Sequence, residues 1–345
     1  MNRPTRMAVI VVTLVALLSG LLWVGVVQTT AQQLELVAVK VTTPPKIDGV
    51  VDQIWSKAKH VAVPVSGGAN LKNGQTTVRI RALYTADRAY FLMTWADPTR
   101  SLRRAPFQKQ ADGSWAKVKD PNDKGGDNNL YYEDKLAMIW NISIKNFQQS
   151  GCFATCHAGE TGKPYGNKYT ASEGELGDIW HWKSVRTGPV GQVDDQYVDS
   201  TRYDEEKAPE AGRHGDPKTG GGYADNKLVD GKPQFALAGN KPAPPYWIID
   251  SQKIVLDDSK YKAGDEVPGI VISPFAGDRG DISARGVYTN GVWTLEVSRK
   301  LVTGSKYDVQ FSNLTQPYYF GVAVFDNAQV RHGFQMGATR IVFKK

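Results

Sequence analysis

Both cysteines of the 345-residue chain lie in one short segment, residues 151–159, which reads GCFATCHAG. Cys152 and Cys156 are four positions apart, and His157 follows the second cysteine directly. Covalent attachment of a c-type haem uses two thiols, which form thioethers with the haem vinyl groups, and an adjacent histidine that binds the iron. The usual spacing is C-x-x-C-H, whereas this chain has C-x-x-x-C-H. The segment therefore predicts a haem attachment site with one extra residue between the cysteines.

Two other interpretations of the segment remain open. A disulfide between the cysteines is geometrically feasible, although so small a loop would stabilise the fold little and would leave His157 without a role. A structural zinc site needs about four ligands, and the sequence offers no second cysteine pair. Haem attachment is the interpretation that uses all three residues.

An electron-transfer haem has two protein ligands, so a second one must come from elsewhere in the chain. If residues 177–183, GDIWHWK, form a β-strand, His181 and Lys183 lie on one face and Trp180 and Trp182 on the other. The polar pair supplies candidate iron ligands, and the tryptophans are candidates for the wall of the pocket. From the residues alone His181 is the easier ligand, because neutral imidazole is abundant near pH 7. Further candidate ligands are Met138, Met336 and His332.

The first 31 residues have the pattern of an export signal. Arg3 and Arg6 precede an apolar stretch at residues 7–27, and a small-x-small candidate cleavage site ends at Ala31. The stretch is long for a cleaved signal peptide and long enough to span a bilayer, so an N-terminal membrane anchor is the alternative. In both cases residues 32–345 are predicted to be extracytoplasmic, in the periplasm or at the outer face of the cytoplasmic membrane.

Short alternating runs typical of β-strands dominate the rest of the chain. Residues 76–97 predict a hairpin with its turn at residues 86–88, and Asn290-Gly291 predicts another within residues 283–301. A short helix is predicted within residues 48–60, with Asp48 as its N-cap. Further strands are predicted at residues 134–144, 246–256, 266–273, 318–327 and 338–345.

Two regions interrupt the strand pattern. Residues 99–130 are polar and predict a surface loop, and residues 145–245 are rich in Gly, Pro and charge in their later half and begin with the cysteine segment. A long segment of this kind inside a domain is commonly functional. We therefore predict an all-β fold in which residues 32–345 form an antiparallel β-sandwich and the loops of residues 145–245 enclose the haem pocket.

The charge pattern argues against nucleic-acid binding. The net charge is +7, but the basic residues are scattered among acidic ones and form no cluster. An excess of positive charge would still favour docking to an acidic redox partner. The sequence contains no serine-triad pattern, phosphate-binding loop or metalloprotease motif, so no catalytic residue is predicted. Adjacent acids such as Asp194 and Asp195 are interpreted as loop carboxylates.

Several segments together resemble the ethylbenzene-dehydrogenase-related haem-binding domain, the fold of the gamma subunits of type II molybdoenzymes of the dimethyl-sulfoxide-reductase family. The resemblance covers residues 40–345, and the opening segment is also similar to family 9 carbohydrate-binding modules. The segments that carry it are KIDGVVDQIWSKAKHV (46–61), YFLMTWADPT (90–99), DKLAMIWNI (134–142), the cysteine segment, DIWHWKSVRTGPVG (178–191) with the DDQYVD that follows, and the closing VAVFDNAQVRHG.

The resemblance implies a β-sandwich that holds one haem b between a Met and a Lys. The lysine of the family's W-x-W-K segment matches Lys183, and Cys156-His157-Ala158-Gly159 stands where the family has its Met. The implied arrangement has His157 in place of the Met, Lys183 opposite, and Cys152 and Cys156 bonded to the porphyrin. We therefore expect a covalently attached c-type haem, with haem b as the alternative.

The expected function is that of an exported monohaem cytochrome that relays electrons, without catalysis of its own. It would be the gamma subunit of a molybdenum oxidoreductase, such as a nitrite, nitrate, chlorate, selenate or hydrocarbon enzyme, or a relative serving one. Its partners would be iron–sulfur and molybdenum subunits or a soluble cytochrome. Two alternatives remain: a haem-free β-sandwich module for carbohydrate or another ligand, with some of its nine tryptophans as a stacking platform, and a haem enzyme with an open distal site.

Overall fold

Alternation of apolar and polar side chains makes β-strands the dominant element of the structure. The computed structural model describes residues 33–124, 126–157 and 168–345, and residues 33–345 form one unit. The predicted export signal or anchor and the candidate cleavage site at Ala31 lie outside the described residues. Among those that are described, no helix is both long and apolar enough to cross a bilayer.

The described residues contain 23 strands. They are β1 (Glu35–Lys40), β2 (Val61–Ser66), β3 (Gln75–Tyr84), β4 (Arg88–Ala96), β5 (Phe107–Lys109), β6 (Trp115–Lys117), β7 (Lys135–Asn141), β8 (Gly177–Lys183), β9 (Asp194–Val198), β10 (Arg213–Gly215), β11 (Gly220–Asp225), β12 (Leu228–Val229), β13 (Lys232–Pro233), β14 (Phe235–Ala236), β15 (Ile248–Ile249), β16 (Ile254–Val255), β17 (Glu266–Val267), β18 (Ile270–Ala276), β19 (Ser283–Thr289), β20 (Val292–Lys300), β21 (Tyr318–Phe325), β22 (Gly333–Phe334) and β23 (Thr339–Lys344).

Helical structure is limited to short pieces in this part of the chain. One α-helical turn covers Phe147–Ser150. The 3-10 turns cover Gln53–Lys57, Lys72–Gly74, Cys152–Ala154, Gly188–Val190, Asp250–Gln252, Asp258–Lys260 and Asp278–Gly280.

Thirteen strands form one continuous sheet that folds back on itself. Its order is β10-β9-β8-β7-β21-β22-β2-β3-β4-β20-β19, and β1 and β23 join it through β3 and β21. The pairing is antiparallel except at β1, which runs parallel to both β3 and β23. The predicted all-β, antiparallel sandwich is confirmed.

The two halves of this sheet pack face to face through aromatic side chains. Phe91 on β4 lies 5.5 Å from Trp180 on β8, measured between ring centroids, and Trp95 lies 6.2 Å from Trp182. Trp182 also meets Trp293 of β20 at 5.0 Å. Edge-to-face pairs of this kind add to the stabilisation from burying large rings. The core of the protein therefore lies between β7-β8-β21 on one side and β3-β4-β20 on the other.

Both predicted hairpins are confirmed. Strands β3 and β4 pair around a turn at residues 85–87, one residue before the predicted position, and β19 pairs with β20 around Asn290 and Gly291. Asn290 and Gly291 have positive φ values of 50° and 78°, the conformation that a two-residue type I′ hairpin turn requires. Turn chemistry is local, which explains why sequence alone was sufficient here.

The prediction of loops across residues 145–245 is wrong in its extent. The region contributes β8 and β9 to the main sheet, and β10 at its edge. Strand β11 pairs with β18 in a separate three-stranded sheet. These strands are short and divided by glycine-rich turns, which is why their composition resembles that of a loop. The predicted surface loop at residues 99–130 likewise includes the short pair β5 and β6.

Two smaller predictions also need correction. The strand expected at residues 246–256 is reduced to β15 and β16, with a 3-10 turn between them. The helix expected at residues 48–60 is a 3-10 turn that begins after Asp52, not after Asp48. Asp48 accepts a hydrogen bond from the backbone N–H of Val50 instead, so its side chain closes a local turn.

The contact between the two layers can be tested at Gly286 on β19. A Cβ atom there would lie 2.3 Å from Cζ2 of Trp182, so Gly286→Ala forces two packed layers apart. We expect a loss of about 1–3 kcal/mol in the free energy of unfolding, measured by denaturant titration. The matched control is Gly220→Ala, where nothing lies within 4 Å of the added atom, and it should change stability by less than about 1 kcal/mol. Equal effects of the two substitutions would contradict the packing described here.

Candidate functional site

A cavity of about 570 Å³ lies on the outer face of β7, β8 and β21, away from the sandwich core. Its floor is made by residues on alternate positions of these strands, Ala137, Ile139, Ile179, Gly321 and Ala323. Lys124 and segments that include residues 126–132, 152–157, 210–213 and 329–332 form its walls. Its volume lies within the range of small-molecule and cofactor sites.

The cysteine segment is fixed against this floor by a close backbone contact. Gly151 pairs with Gly337, and a Cβ atom at Gly151 would lie 2.1 Å from the Gly337 carbonyl oxygen. Gly151 also has φ 55°, so glycine is required on two grounds. The 3-10 turn that follows carries Cys152, and the N–H of His157 donates to the Cys152 carbonyl at 3.0 Å. This turn brings all three predicted residues to the same cavity.

Both cysteines line the cavity as free thiols. Cys152 is buried against β21, where a side chain on Gly321 would approach its Sγ to 2.7 Å. Burial raises the pKa of the Cys152 thiol to about 12 and also raises that of Cys156. The disulfide considered from the sequence is not formed, and both sulfurs are held as neutral thiols at the cavity wall.

His157 faces His332 across a short distance. The two Nε2 atoms are 3.2 Å apart, and Nδ1 of His332 lies 2.8 Å from the Val330 carbonyl oxygen. A carbonyl accepts hydrogen bonds only, so Nδ1 carries the proton and Nε2 of His332 keeps its lone pair. Burial lowers the pKa of His157, and burial together with His157 lowers that of His332 to about 4. Both imidazoles are therefore neutral at pH 7, the form that binds metal.

His181 is a third imidazole at the same cavity. It is 5% exposed, stacks on Phe325 and has no hydrogen-bond partner at Nε2. Its pKa is held well below the ordinary value, first by burial and then by nearby cations, of which Lys183 has the largest influence. A buried polar atom without a partner is uncommon in native structures and calls for an explanation. His181 thus presents a neutral nitrogen with a free ligand position.

Lys183 lies on the same face of β8 but is already paired. Its ammonium forms an ion pair with Asp194 of β9 and lies 3.0 Å from the Tyr223 hydroxyl. Arg279 binds the same carboxylate, with Nε at 2.6 Å from Oδ1. Burial alone would raise the pKa of Asp194, but Lys183 and Arg279 together lower it below its ordinary value. To bind iron, Lys183 would have to lose its proton and leave this pair.

The pairing of Lys183 also corrects the interpretation of Asp194 and Asp195 as loop carboxylates. Both lie on β9, where alternate residues point to opposite faces. Asp194 therefore meets Lys183 on the outer face, and Asp195 is buried on the inner face beside Asp178. The sequence could not show this because the register of β8 against β9 is set by pairing across a loop.

Trp180 and Trp182 do not line the cavity, which corrects the expectation that they form its wall. Strand alternation places them on the inner face of β8, opposite His181 and Lys183, where they join the main core. The face of β8 that carries the two tryptophans packs against β4 and β20, not against the cavity. The aromatic rings that line the cavity are instead Phe325, at the end of β21, and those of Tyr132 and Tyr223.

The two methionine candidates are placed less favourably than the histidines. Met336 is 68% exposed and does not line the cavity. Met138 borders the floor, but it is 1% exposed and packs in the main core on the side of β7 that faces away from His181. Neither thioether is positioned as a ligand in the way that the three imidazoles are.

Positive charge surrounds the cavity, a feature that motif reasoning missed. Six basic side chains line it against two acidic ones, Asp127 and Glu210. Lys135 is fully buried at the start of β7, with Nζ 2.9 Å from the Gln329 carbonyl oxygen and 3.9 Å from the centroid of the Phe325 ring. Burial, followed by Arg186, lowers the pKa of Lys135 well below its ordinary value. The basic residues are Lys124, Lys135, Lys168, Lys183, Arg186 and Arg213.

The residues at this cavity fit a haem. Two thiols stand beside three neutral imidazoles, one of which has an unpartnered buried Nε2. The floor is apolar, as a porphyrin face requires, and the basic wall suits a group that carries two carboxylates. Cys152, Cys156 and His157 are the residues that would hold it, together with a ligand from β8.

The comparisons with known proteins agree with part of this interpretation. The model of a family described as ethylbenzene dehydrogenase matches residues 52–337. No curated protein matches the chain. Two solved structures of a family 9 carbohydrate-binding module from Caldicellulosiruptor kristjanssonii, with glucose and with cellotriose, match at 10% identity and TM-score 0.34, covering 90% of this chain and 95% of theirs.

A putative carbohydrate-binding protein from Bacteroides uniformis matches at 6% identity, with TM-score 0.34, over 90% of this chain and all of its own. Similarity at this level carries no conclusion about what the present chain binds. The family match is of a different kind, because it spans most of the sequence and includes the cavity strands, the cysteine segment and His332. The chain belongs to the ethylbenzene dehydrogenase family, which relates it to a subunit of molybdoenzyme complexes.

Proposed function

We propose that this chain is a c-type monohaem electron-transfer protein that binds its haem in the cavity over β7, β8 and β21. The observation that carries the proposal is the convergence of Cys152, Cys156 and His157 with a second, neutral and buried imidazole at one cavity. Family membership supports it by relating the chain to an oxidoreductase subunit. The proposal does not depend on the weak structural likeness to carbohydrate-binding modules.

Attachment would use the two thiols as additions to vinyl groups. Each S–H would add across one C=C bond, with the sulfur bonded to one vinyl carbon and the hydrogen to the other, so that no oxidant would be needed. The fixed position of Cys152 against Gly321 orients its Sγ before the reaction. The turn from Cys152 to His157 then keeps the second sulfur and the imidazole adjacent, which compensates for the extra residue in the motif.

The iron ligands proposed are His157 on one side and a side chain from β8 on the other. The resemblance to the family's W-x-W-K segment implies Lys183, whereas the unpartnered Nε2 and the depressed pKa of His181 favour the imidazole. Lys183 has the additional cost of leaving Asp194. The two candidates are two residues apart on one face, so both choices use the same cavity wall.

A haem held in this way supplies one-electron oxidation and reduction at its iron. The protein side chains hold the site rather than react: two ligands leave no open iron position for a substrate. The apolar floor keeps water from the porphyrin face, and the basic wall balances its carboxylates. These features suit electron relay more than catalysis.

We further propose that the chain passes electrons between the iron–sulfur subunit of a molybdenum oxidoreductase and an external carrier such as a soluble cytochrome. The proposed location is extracytoplasmic, on the basis of the pattern of residues 1–31, with residues 7–27 either removed or kept as an anchor. The partner enzyme would act on nitrite, nitrate, chlorate, selenate or a hydrocarbon. Substrate chemistry would then take place on the molybdenum subunit.

The first test is of covalent attachment. After co-expression with haem-attachment machinery, the protein should stay coloured on denaturing gels and give a pyridine haemochrome spectrum of thioether-linked haem. Cys152→Ser and Cys156→Ser should each shift that spectrum towards one remaining vinyl group, and the double variant should lose haem on the gel. Met336→Leu, at an exposed site, should change nothing. Haem that extracts from the unaltered protein into acid acetone would contradict covalent attachment.

The second test identifies the iron ligand from β8. Electron paramagnetic resonance and near-infrared magnetic circular dichroism should show a low-spin ferric haem in the unaltered protein. We expect His181→Gln or Lys183→Arg, but not both, to change these spectra. Arg keeps the ion pair with Asp194 but cannot lose its proton to bind iron, so Lys183→Arg tests ligation rather than folding.

A change in His181→Gln alone assigns the imidazole, and a change in Lys183→Arg alone assigns the amine. If neither substitution alters the spectra, the ligand does not come from β8. Lys135→Arg serves as the matched control on the neighbouring strand, and a change seen only there would move the ligand to β7.

A further inference from the structure

Three buried aspartates meet at one end of the sandwich. Asp97 follows β4, Asp134 precedes β7, and Asp326 follows β21. They are 1%, 0% and 0% exposed, and one carboxylate oxygen from each lies within 4.8 Å of the others. The sequence segments that contain them, WADPT, EDK and FDNA, are separate in the chain but converge here.

No basic side chain of the described residues balances these charges. Their Lys, Arg and His ion pairs do not include any of the three aspartates. The cations nearest in sequence are directed elsewhere: Arg100 is exposed, Lys135 donates to the Gln329 carbonyl, and Arg331 pairs with Asp127. A buried carboxylate without a countercharge is costly, and three together are more so.

Hydrogen bonds hold these carboxylates in place without satisfying them. Thr99 donates its N–H to Oδ1 of Asp97 and its hydroxyl to Oδ1 of Asp326, each at 3.1 Å. Asp134 accepts from the N–H groups of Ser101 at 2.7 Å and Asn327 at 3.0 Å. Nε1 of Trp293 also donates to Asp134, at 3.1 Å, and the indole N–H of Trp95 is close enough to Asp97 to lower its pKa. The Oδ2 atoms of Asp97 and Asp326, both buried, nevertheless accept no hydrogen bond of standard geometry. The orphaned oxygens are the independent sign that a ligand belongs between the side chains.

We propose that Asp97, Asp134 and Asp326 bind a divalent cation, and that the cation is Ca²⁺. The group offers oxygen atoms only, which favours a hard cation over zinc or copper. The repulsion between these carboxyls is consistent with this assignment: burial and then Asp134 and Asp326 raise the pKa of Asp97 to about 9. A bound cation would remove that repulsion.

A second cluster of three buried aspartates differs from the first in its charge balance. Asp178, Asp195 and Asp308 also lie within 4.8 Å of one another. Their cluster, however, contains the buried guanidinium of Arg299, whose Nη2 lies 2.9 Å from Asp308. This cluster also has buried carboxylate oxygens without a hydrogen bond, but the guanidinium supplies a positive charge within it. The first cluster has no such ion pair among the described residues, and this difference is the reason for choosing it.

The cation would join the two layers of the sandwich and hold the loops of the haem cavity. Asp97 belongs to the layer of β4, while Asp134 and Asp326 flank neighbouring strands of the opposite layer. Asp326 begins the segment that carries Gln329 and His332, and Asp134 ends the one that carries Asp127 and Tyr132. The inference is independent of the proposed haem function, because it rests on a different group of residues.

The test is Ca²⁺ binding to the full chain after treatment with a chelator. Isothermal titration with CaCl₂ should give one site per chain with Kd below about 1 mM, and Ca²⁺ at 100 times Kd should raise Tm by on the order of 5 °C. Asp97→Asn and Asp326→Asn should each abolish both signals. In chelator these variants should be about as stable as the unaltered protein. Burial raises the pKa of Asp97 to about 9 and that of Asp326 to about 6, so without a cation these carboxyls already favour the neutral form, whose shape the amide keeps. Far-UV circular dichroism checks that they fold.

The matched control is Asp195→Asn, a buried aspartate of the other cluster, which should retain binding. Hydrogen exchange should slow with Ca²⁺ at residues 126–134 and 326–332 in the unaltered protein and in the control. Absence of binding by the unaltered protein would overturn the proposal. It would also fail if Asp195→Asn lost the site while Asp97→Asn kept it, or if MgCl₂ bound and CaCl₂ did not.

Discussion

The seven residues of strand β8 face the aromatic core on one side and the cavity on the other. Its inner face carries Trp180 and Trp182 into the aromatic core, and its outer face carries His181 and Lys183 to the cavity. Successive side chains of a strand point to opposite sides. A shift of β8 by one residue would therefore move the tryptophans to the cavity and the polar pair to the core. The packing of the tryptophans against β4 and β20 therefore fixes where the polar pair stands.

Electrostatics on the outer face follow from that placement. Lys183 is buried on the outer face, and a buried ammonium must be paired, so Asp194 and Tyr223 surround it. Burial, and after it the positive charge of Lys183, holds the pKa of His181 well below its ordinary value and leaves the imidazole neutral. One strand thus positions both a lysine that is already paired and an imidazole whose Nε2 has no hydrogen-bond partner, and the proposed haem site depends on this combination.

Local patterns predicted the parts of the fold that depend on local chemistry. The Asn290-Gly291 turn and the alternation around His181 depend on consecutive residues, and the sequence predicted both. The role of Trp180 was not, because its partner Phe91 lies in a different layer and nothing in the segment says which face meets it. Asp194 was missed for the same reason: its meeting with Lys183 depends on the β8–β9 register.

The sequence predicted the site residues that are neighbours in the chain. It did not predict those that only the fold brings together. Cys152, Cys156 and His157 are contiguous in sequence, so their common place at one cavity follows from a single turn. His332 was only one of several candidates, and its position opposite His157 arises from the approach of two distant segments. The ring of basic side chains is likewise assembled from scattered residues whose charges are unremarkable in the sequence.

The cavity lies on the outer face of the sheet, so a bound group there would not be part of the aromatic core. The aromatic interior is complete without any occupant of the outer face, since the rings that build it contact one another directly. The aromatic rings of the core are therefore distinct from the residues that line the cavity. Under the proposed function, a haem would be bound or lost without removing any contact between those rings.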